Sequence, residues 1–209
     1  MSSARIDRVE LAAAVLLAVA AVTTAWSSYQ ASRWNGEQAR TAGSVNKARI
    51  AAARAAGLAT SQQQVDIATF VQWVDAYAKQ EDELATFYRE RFRKEFKPAF
   101  EAWVATRPLK NPGAPPTPFA MPEYRLAATV EAERLDAEAE LLAAKVRRDI
   151  QRSTNYVLGV VLCAVALFFA GISTKLDSPR LRLGLVGLGW FVYLLALAWV
   201  ATSPVSVSI

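Results

Sequence analysis

YVLGVVLCAVALFFAGIST, Tyr156 to Thr174, runs nineteen residues without a charge, and the reading of the whole chain turns on it. At 1.5 Å of rise per helical residue such a run reaches roughly 30 Å, the thickness of the hydrocarbon layer of a bilayer. It reads as a membrane span. Working outward, Leu183 to Thr202 is a second uncharged run, and Val9 to Ser28 is a third with one charge, Glu10, at its edge. Three transmembrane helices follow, with lipid as the first partner of the chain.

Between the first run and the other two the composition changes. Charged residues make up 21% of the 209 residues although mean hydropathy is positive at +0.15, so polar and apolar residues are segregated into blocks. The block from Gln30 to Asn155 holds 19 of the 24 Lys/Arg and 16 of the 19 Asp/Glu, a length and polarity that suit one soluble domain. The predicted layout is therefore residues 1–29 as a signal-anchor helix, 30–155 as a soluble helical domain, and 156–209 as a transmembrane hairpin. The fold class is all-α, with a helical bundle or coiled-coil-like domain between the first and second spans.

Several chemistries are removed by composition. The chain has no histidine, and its one cysteine, Cys163, lies inside a span. Ser-His-Asp and Cys-His catalysis, histidine-based zinc sites and internal disulfides are thereby excluded. The basic balance, pI near 9.5, is spread among acids rather than gathered in a stripe, which argues against nucleic acid as a partner. No enzyme activity and no cofactor are expected.

Orientation follows Lys and Arg in short flanks. Arg5 and Arg8 precede the first span, and Lys175, Arg180 and Arg182 occupy the turn between the last two. These place the N-terminus and the turn in the cytoplasm and the large domain outside, across a bacterial cytoplasmic (inner) membrane. Lys145, Arg147, Arg148 and Arg152, just before the second span, pull the other way. A cleaved signal peptide ending near Thr23 and Ala25 is the alternative for the first span; Asp7 and Glu10 in its head and the length of its apolar run favour an uncleaved anchor.

Within the domain, an Ala-rich helix is predicted to continue from the first span without a breaker, weakest at Gly36, Gly43 and Gly57. A second helix from about Thr60 carries an aromatic stripe, Phe70, Val74, Tyr77, Leu84, Tyr88, Phe92 and Phe96, and is bent at Pro98 before Phe100 and Trp103. Six prolines between Arg107 and Pro122 predict an extended lap anchored by Phe119 and Met121, with a loose linker as the alternative. Pro122 is then predicted to open a helix whose faces include Leu126, Val130, Ala137 and Leu141, and beside them Leu135, Leu142, Val146 and Ile150. Its acids, Glu131, Glu133, Asp136, Glu138 and Glu140, interleave with Arg134 as a salt-bridged solvent face. The segment Arg89 to Lys97, with Arg91, Arg93 and Lys94 around Phe92 and Phe96, reads as an amphipathic helix with a mixed outer face.

Two sets of span residues are candidates for function. Ala14, Ala18, Ala21 and Ala25 share one face of the first span, and Gly159, Cys163, Ala166 and Ala170 one face of the second. Small residues at such spacing permit close backbone approach where lipid supplies no hydrophobic incentive to associate, so these are helix-packing residues, within a subunit or between subunits. Thr23, Ser27, Gln30 and Trp34 follow one another at helical spacing and are candidate pore-lining residues of an oligomer. No ionisable residue lies inside a span, which argues against coupled transport. The expected role is a scaffold or accessory subunit that forms a homo-oligomer, binds a membrane-protein partner through its helical domain, or both; the alternative is a subunit of a homo-oligomeric channel lined by the first span.

The stretches Trp26-Ser27-Ser28-Tyr29-Gln30, Phe96-Lys97-Pro98-Ala99-Phe100-Glu101-Ala102-Trp103 and Pro118-Phe119-Ala120-Met121-Pro122-Glu123-Tyr124, with the paired C-terminal spans, resemble a family of uncharacterised small bacterial membrane proteins with three spans and a large helical loop. That resemblance implies the layout and brings no activity, cofactor or catalytic residue with it.

Overall fold

A computed structural model describes the backbone of residues 3–206 and the side chains of residues 8–206. Arg5 and Asp7 of the orientation argument, and the last three residues of the tail, lie outside the described side chains. Five helices make up the described chain: α1 (Ser3–Ala78), α2 (Asp82–Arg91), α3 (Lys97–Ala105), α4 (Ala127–Ser173) and α5 (Pro179–Ala201), with a one-turn 3-10 helix at Pro118–Ala120. Strands are absent among the described residues. Three of the helices, α1, α4 and α5, contain segments long and apolar enough to cross a membrane, which marks the chain as a membrane protein.

By internal contacts the chain divides into two units, Met1–Gly43 with Leu142–Ile209, and Ser44–Leu141. The uncharged runs end near Ser28 and begin at Tyr156, so the first unit includes roughly four helical turns of each long helix beyond its apolar run.

The first unit is a three-helix bundle. Its buried residues recur at steps of three and four: Ala13, Leu16, Ala20, Ser27, Gln30 and Trp34 on α1, Gly159, Cys163, Ala166, Ala170 and Ser173 on α4, and Val186, Gly189, Tyr193, Ala196 and Val200 on α5. This is the seam spacing of left-handed helix pairs. Two glycines sit where a side chain has no room. A Cβ on Gly159 would lie 2.5 Å from Val200 Cγ2, and one on Gly189 would lie 2.9 Å from Leu16 Cδ2 and 3.3 Å from the Ala166 carbonyl oxygen.

The second unit packs by a different rule, around aromatic rings. Phe70 from α1, Phe92 and Phe96 from the α2–α3 connection, and Phe100 from α3 are buried together, with Trp73, Trp103, Phe119 and Tyr124 against them. Most ring pairs meet edge to face, as Phe92 and Phe100 do at 4.8 Å and 67°, the arrangement the ring quadrupoles favour.

Three expectations change here. The continuous helix does not stop near Gly57 but runs to Ala78, because all three glycines sit in open positions where their helix penalty of about 1 kcal/mol each is the only cost. The aromatic stripe is not one bent helix: α1 ends in a turn in which Glu81 N–H donates to the Ala76 carbonyl and Gln80 N–H to Tyr77, with Gln80 left-handed at φ 61°. Pro98 opens α3 rather than bending a longer helix. Arg107 is the other left-handed residue, φ 52°, one position past the Thr106 cap of α3. Glycine is usual at such helix ends, and a side chain there costs about 1 kcal/mol.

Pro122 does not open α4 either. Four residues of turn follow it, and the helix starts at Ala127, whose N–H donates to Glu95 Oε1 at 3.1 Å. A carboxylate from a distant connection thus supplies the cap, on the positive end of the helix dipole. The proline-rich lap docks through Phe119, stacked on Phe96 at 5.2 Å and 15°, and Trp103 Nε1 ties it down by donating to the Pro115 carbonyl at 2.8 Å.

Candidate functional site: the inner and outer faces of the first span

The second-span residues Gly159, Cys163, Ala166 and Ala170 are all buried in the bundle. Cys163 shares its core with Leu16, Ala20, Ala166, Ala170, Tyr193 and Ala196, an apolar setting that makes it a small packing residue. On α1 the inner face is built from Ala13, Leu16 and Ala20. Ala14, Ala18, Ala21 and Ala25 form an adjacent row, and all four are exposed.

That outer row does not stop with the apolar run. Ser28, Ser32, Gly36, Ala39 and Gly43 continue it at steps of three and four, again exposed. A Cβ on Gly36 or Gly43 would meet nothing within 4 Å. Nine consecutive positions on one side of α1 therefore carry only Ala, Ser or Gly. The bundle itself makes no use of them.

The four residues expected to line a pore are brought together, on the inner side. Thr23 Oγ1 donates to the Val19 carbonyl at 2.9 Å and lies 3.1 Å from the Tyr193 hydroxyl. Ser27 and Gln30 are fully enclosed; Gln30 Oε1 accepts from Ser206 N–H at 3.0 Å. Trp34 Nε1 donates to the Pro204 carbonyl at 3.2 Å, and its ring carries the Arg152 guanidinium at 4.5 Å. Tyr156 closes the ring by donating to the Pro204 carbonyl at 3.3 Å. Gln30, Trp34 and Tyr156 thus clasp the tail after α5, whereas Thr23 bonds within the bundle and the Ser27 hydroxyl has no partner: where water cannot satisfy the carbonyls that follow a helix end, side chains of α1 and α4 do so.

Sequence reading missed the polar centre of the second unit. Asp66 is fully buried; its Oδ2 accepts from Arg93 Nη1 at 2.8 Å and from the Tyr124 hydroxyl at 3.1 Å. Arg93 also pairs with Glu95, the residue that caps α4. Burial pushes the Asp66 carboxyl above its ordinary range, against the pull of Arg93 and Tyr124. Burial and the Asp66 charge beside it hold the Tyr124 hydroxyl protonated well beyond the ordinary tyrosine range. Asp66 Oδ1 has no partner, nor has Gln62 Oε1 one turn away. The available signal was register: Asp66 occupies a buried position four residues before Phe70, where an acid demands a partner.

Arg93 consequently turns inward, so the segment from Arg89 to Lys97 is not a single helix with a mixed outer face. The acids of α4 are paired as expected, Glu131 and Glu138 with Arg134, and Glu140 with Arg49 of α1 at 3.3 Å. Of the expected α4 faces, Leu126 is buried, whereas Val130 and Leu141 stand exposed. Compared with known proteins, the chain matches no family model, no curated protein and no solved structure.

Proposed function

We propose that this protein is an integral scaffold or accessory subunit of the bacterial cytoplasmic membrane, which self-associates through the outer face of α1 and offers its helical domain, on the extracytoplasmic side, to a partner. It carries no reaction of its own. One observation supports self-association above the rest: the bundle packs on Ala13, Leu16 and Ala20 and leaves the row from Ala14 to Gly43 uncovered. A surface of small residues lets a second helix approach to backbone contact, the main source of helix affinity in lipid. The exposed glycines Gly36 and Gly43 weaken α1 without serving any contact of their own chain, which a close neighbour would explain.

Copies inserted by the same machinery share one orientation, so two α1 helices would meet parallel about a two-fold axis in the membrane normal. Light scattering of the purified protein in detergent tests this. A dimer or larger particle is expected, dissociated by Ala18→Leu with Ala21→Leu, while the melting temperature of the chain stays unchanged because neither position packs internally. A particle that is monomeric at every concentration would defeat the proposal.

A further inference from the structure

The second unit contains a groove that the scaffold reading does not use. Its volume is about 410 Å³, within the range of small-molecule sites, and it is lined by the end of α1, the end of α3 and the first residues of the lap. Trp73 and Tyr77 form one wall, their rings stacked at 5.2 Å and 18°. Trp103 stands across from them, 80° to the Trp73 ring. Val74, Val104 and Leu109 complete an apolar lining, and Leu109 is 81% exposed. Among the described lining residues the charged ones are two cations, Arg107 and Lys110, both exposed, and no carboxylate belongs to the lining.

We propose that this groove binds a small soluble carboxylate with a flat aromatic body. Trp73 is itself stacked between Phe70 and Tyr77, so the exposed ring of Tyr77, with Trp103, supplies the aromatic surface for the body, and the cations supply charge complementarity for one anionic group. Arg107 adds an independent pointer. It occupies a left-handed helix end where glycine is unstrained, so the chain keeps a long cationic side chain at a position that local backbone preference would give to glycine.

The same feature supplies a clean variant, since Arg107→Gly removes the charge and relieves the backbone together. The full-length protein in zwitterionic lipid nanodiscs is titrated by calorimetry with 2-naphthylacetate and with its neutral amide. Saturable sub-millimolar binding of the carboxylate is expected, with the amide weaker by about tenfold or more. Arg107→Gly combined with Lys110→Ala should reduce the carboxylate to the affinity of the amide without lowering the melting temperature. Absence of saturable binding, equal affinity for the two probes, or full affinity in the double variant would each overturn the proposal. So would loss of binding in discs containing phosphatidylglycerol, which would assign the groove to lipid headgroups instead.

Discussion

The two units of this chain solve one packing problem in opposite ways. The membrane bundle is closed by what its residues lack: alanines, a cysteine and glycines Gly159 and Gly189 let helices come near enough for backbone and short side chains to touch. The second unit is closed by bulk, with Phe70, Phe92, Phe96 and Phe100 wrapped around one another and Asp66 held beside them. Solvent explains the contrast. In water, burying rings is itself the driving force; in lipid that force vanishes, and fit of close surfaces takes its place.

Removing atoms should therefore hurt the second unit most. Phe96→Ala is expected to destabilise it by about 4 kcal/mol, read as early loss of the near-ultraviolet aromatic signal on heating, while the bundle keeps its far-ultraviolet helix signal. Asp66→Ala comes next, at about 3 kcal/mol, because Arg93 and Tyr124 lose their common partner. The Asp66 carboxyl is raised by burial, so the folded chain takes up its proton more readily than the unfolded chain. Stability should fall as pH rises from the ordinary carboxylate range through the raised Asp66 value, and stay level above it. Asp66→Asn should flatten that limb of the stability profile; an unchanged limb would mean another group sets it.

Adding atoms should hurt the bundle. Gly189→Val forces a branched side chain against Leu16 and the Ala166 carbonyl, and about 2 kcal/mol of destabilisation is expected, seen as a lower melting temperature in detergent. Gly57→Ala, in open space on the same kind of helix, should act with the opposite sign and stabilise by about 1 kcal/mol. If both glycine variants behaved alike, close approach would not be what closes the bundle.

The spans were legible because hydropathy in blocks is a strong, local signal, and the absence of a breaker between Ser28 and Gly57 already implied one long helix. What periodicity could not say was which of two adjacent rows on α1 faces inward, since Ala13, Ala20 and Ala14, Ala21 have the same character. Their placement depends on α4 and α5. The first break in the aromatic stripe was hidden because Gln80 ends α1 in a conformation that ordinarily announces itself by glycine. Likewise the start of α4 at Ala127 depends on Glu95, thirty-two residues away, a distance at which no local rule operates.

The most direct test of the account compares neighbouring residues on α1. In a Cys163→Ala background, Ala21→Cys and Ala20→Cys are each placed in native membranes and oxidised. The outer position should give a disulfide-linked dimer rapidly and in high yield, because symmetry brings it against its own copy; the inner position, enclosed by α4 and α5, should give none. Equal cross-linking at both, or at Ala20 alone, would contradict the division of α1 into an inner face for its own bundle and an outer face for a second copy.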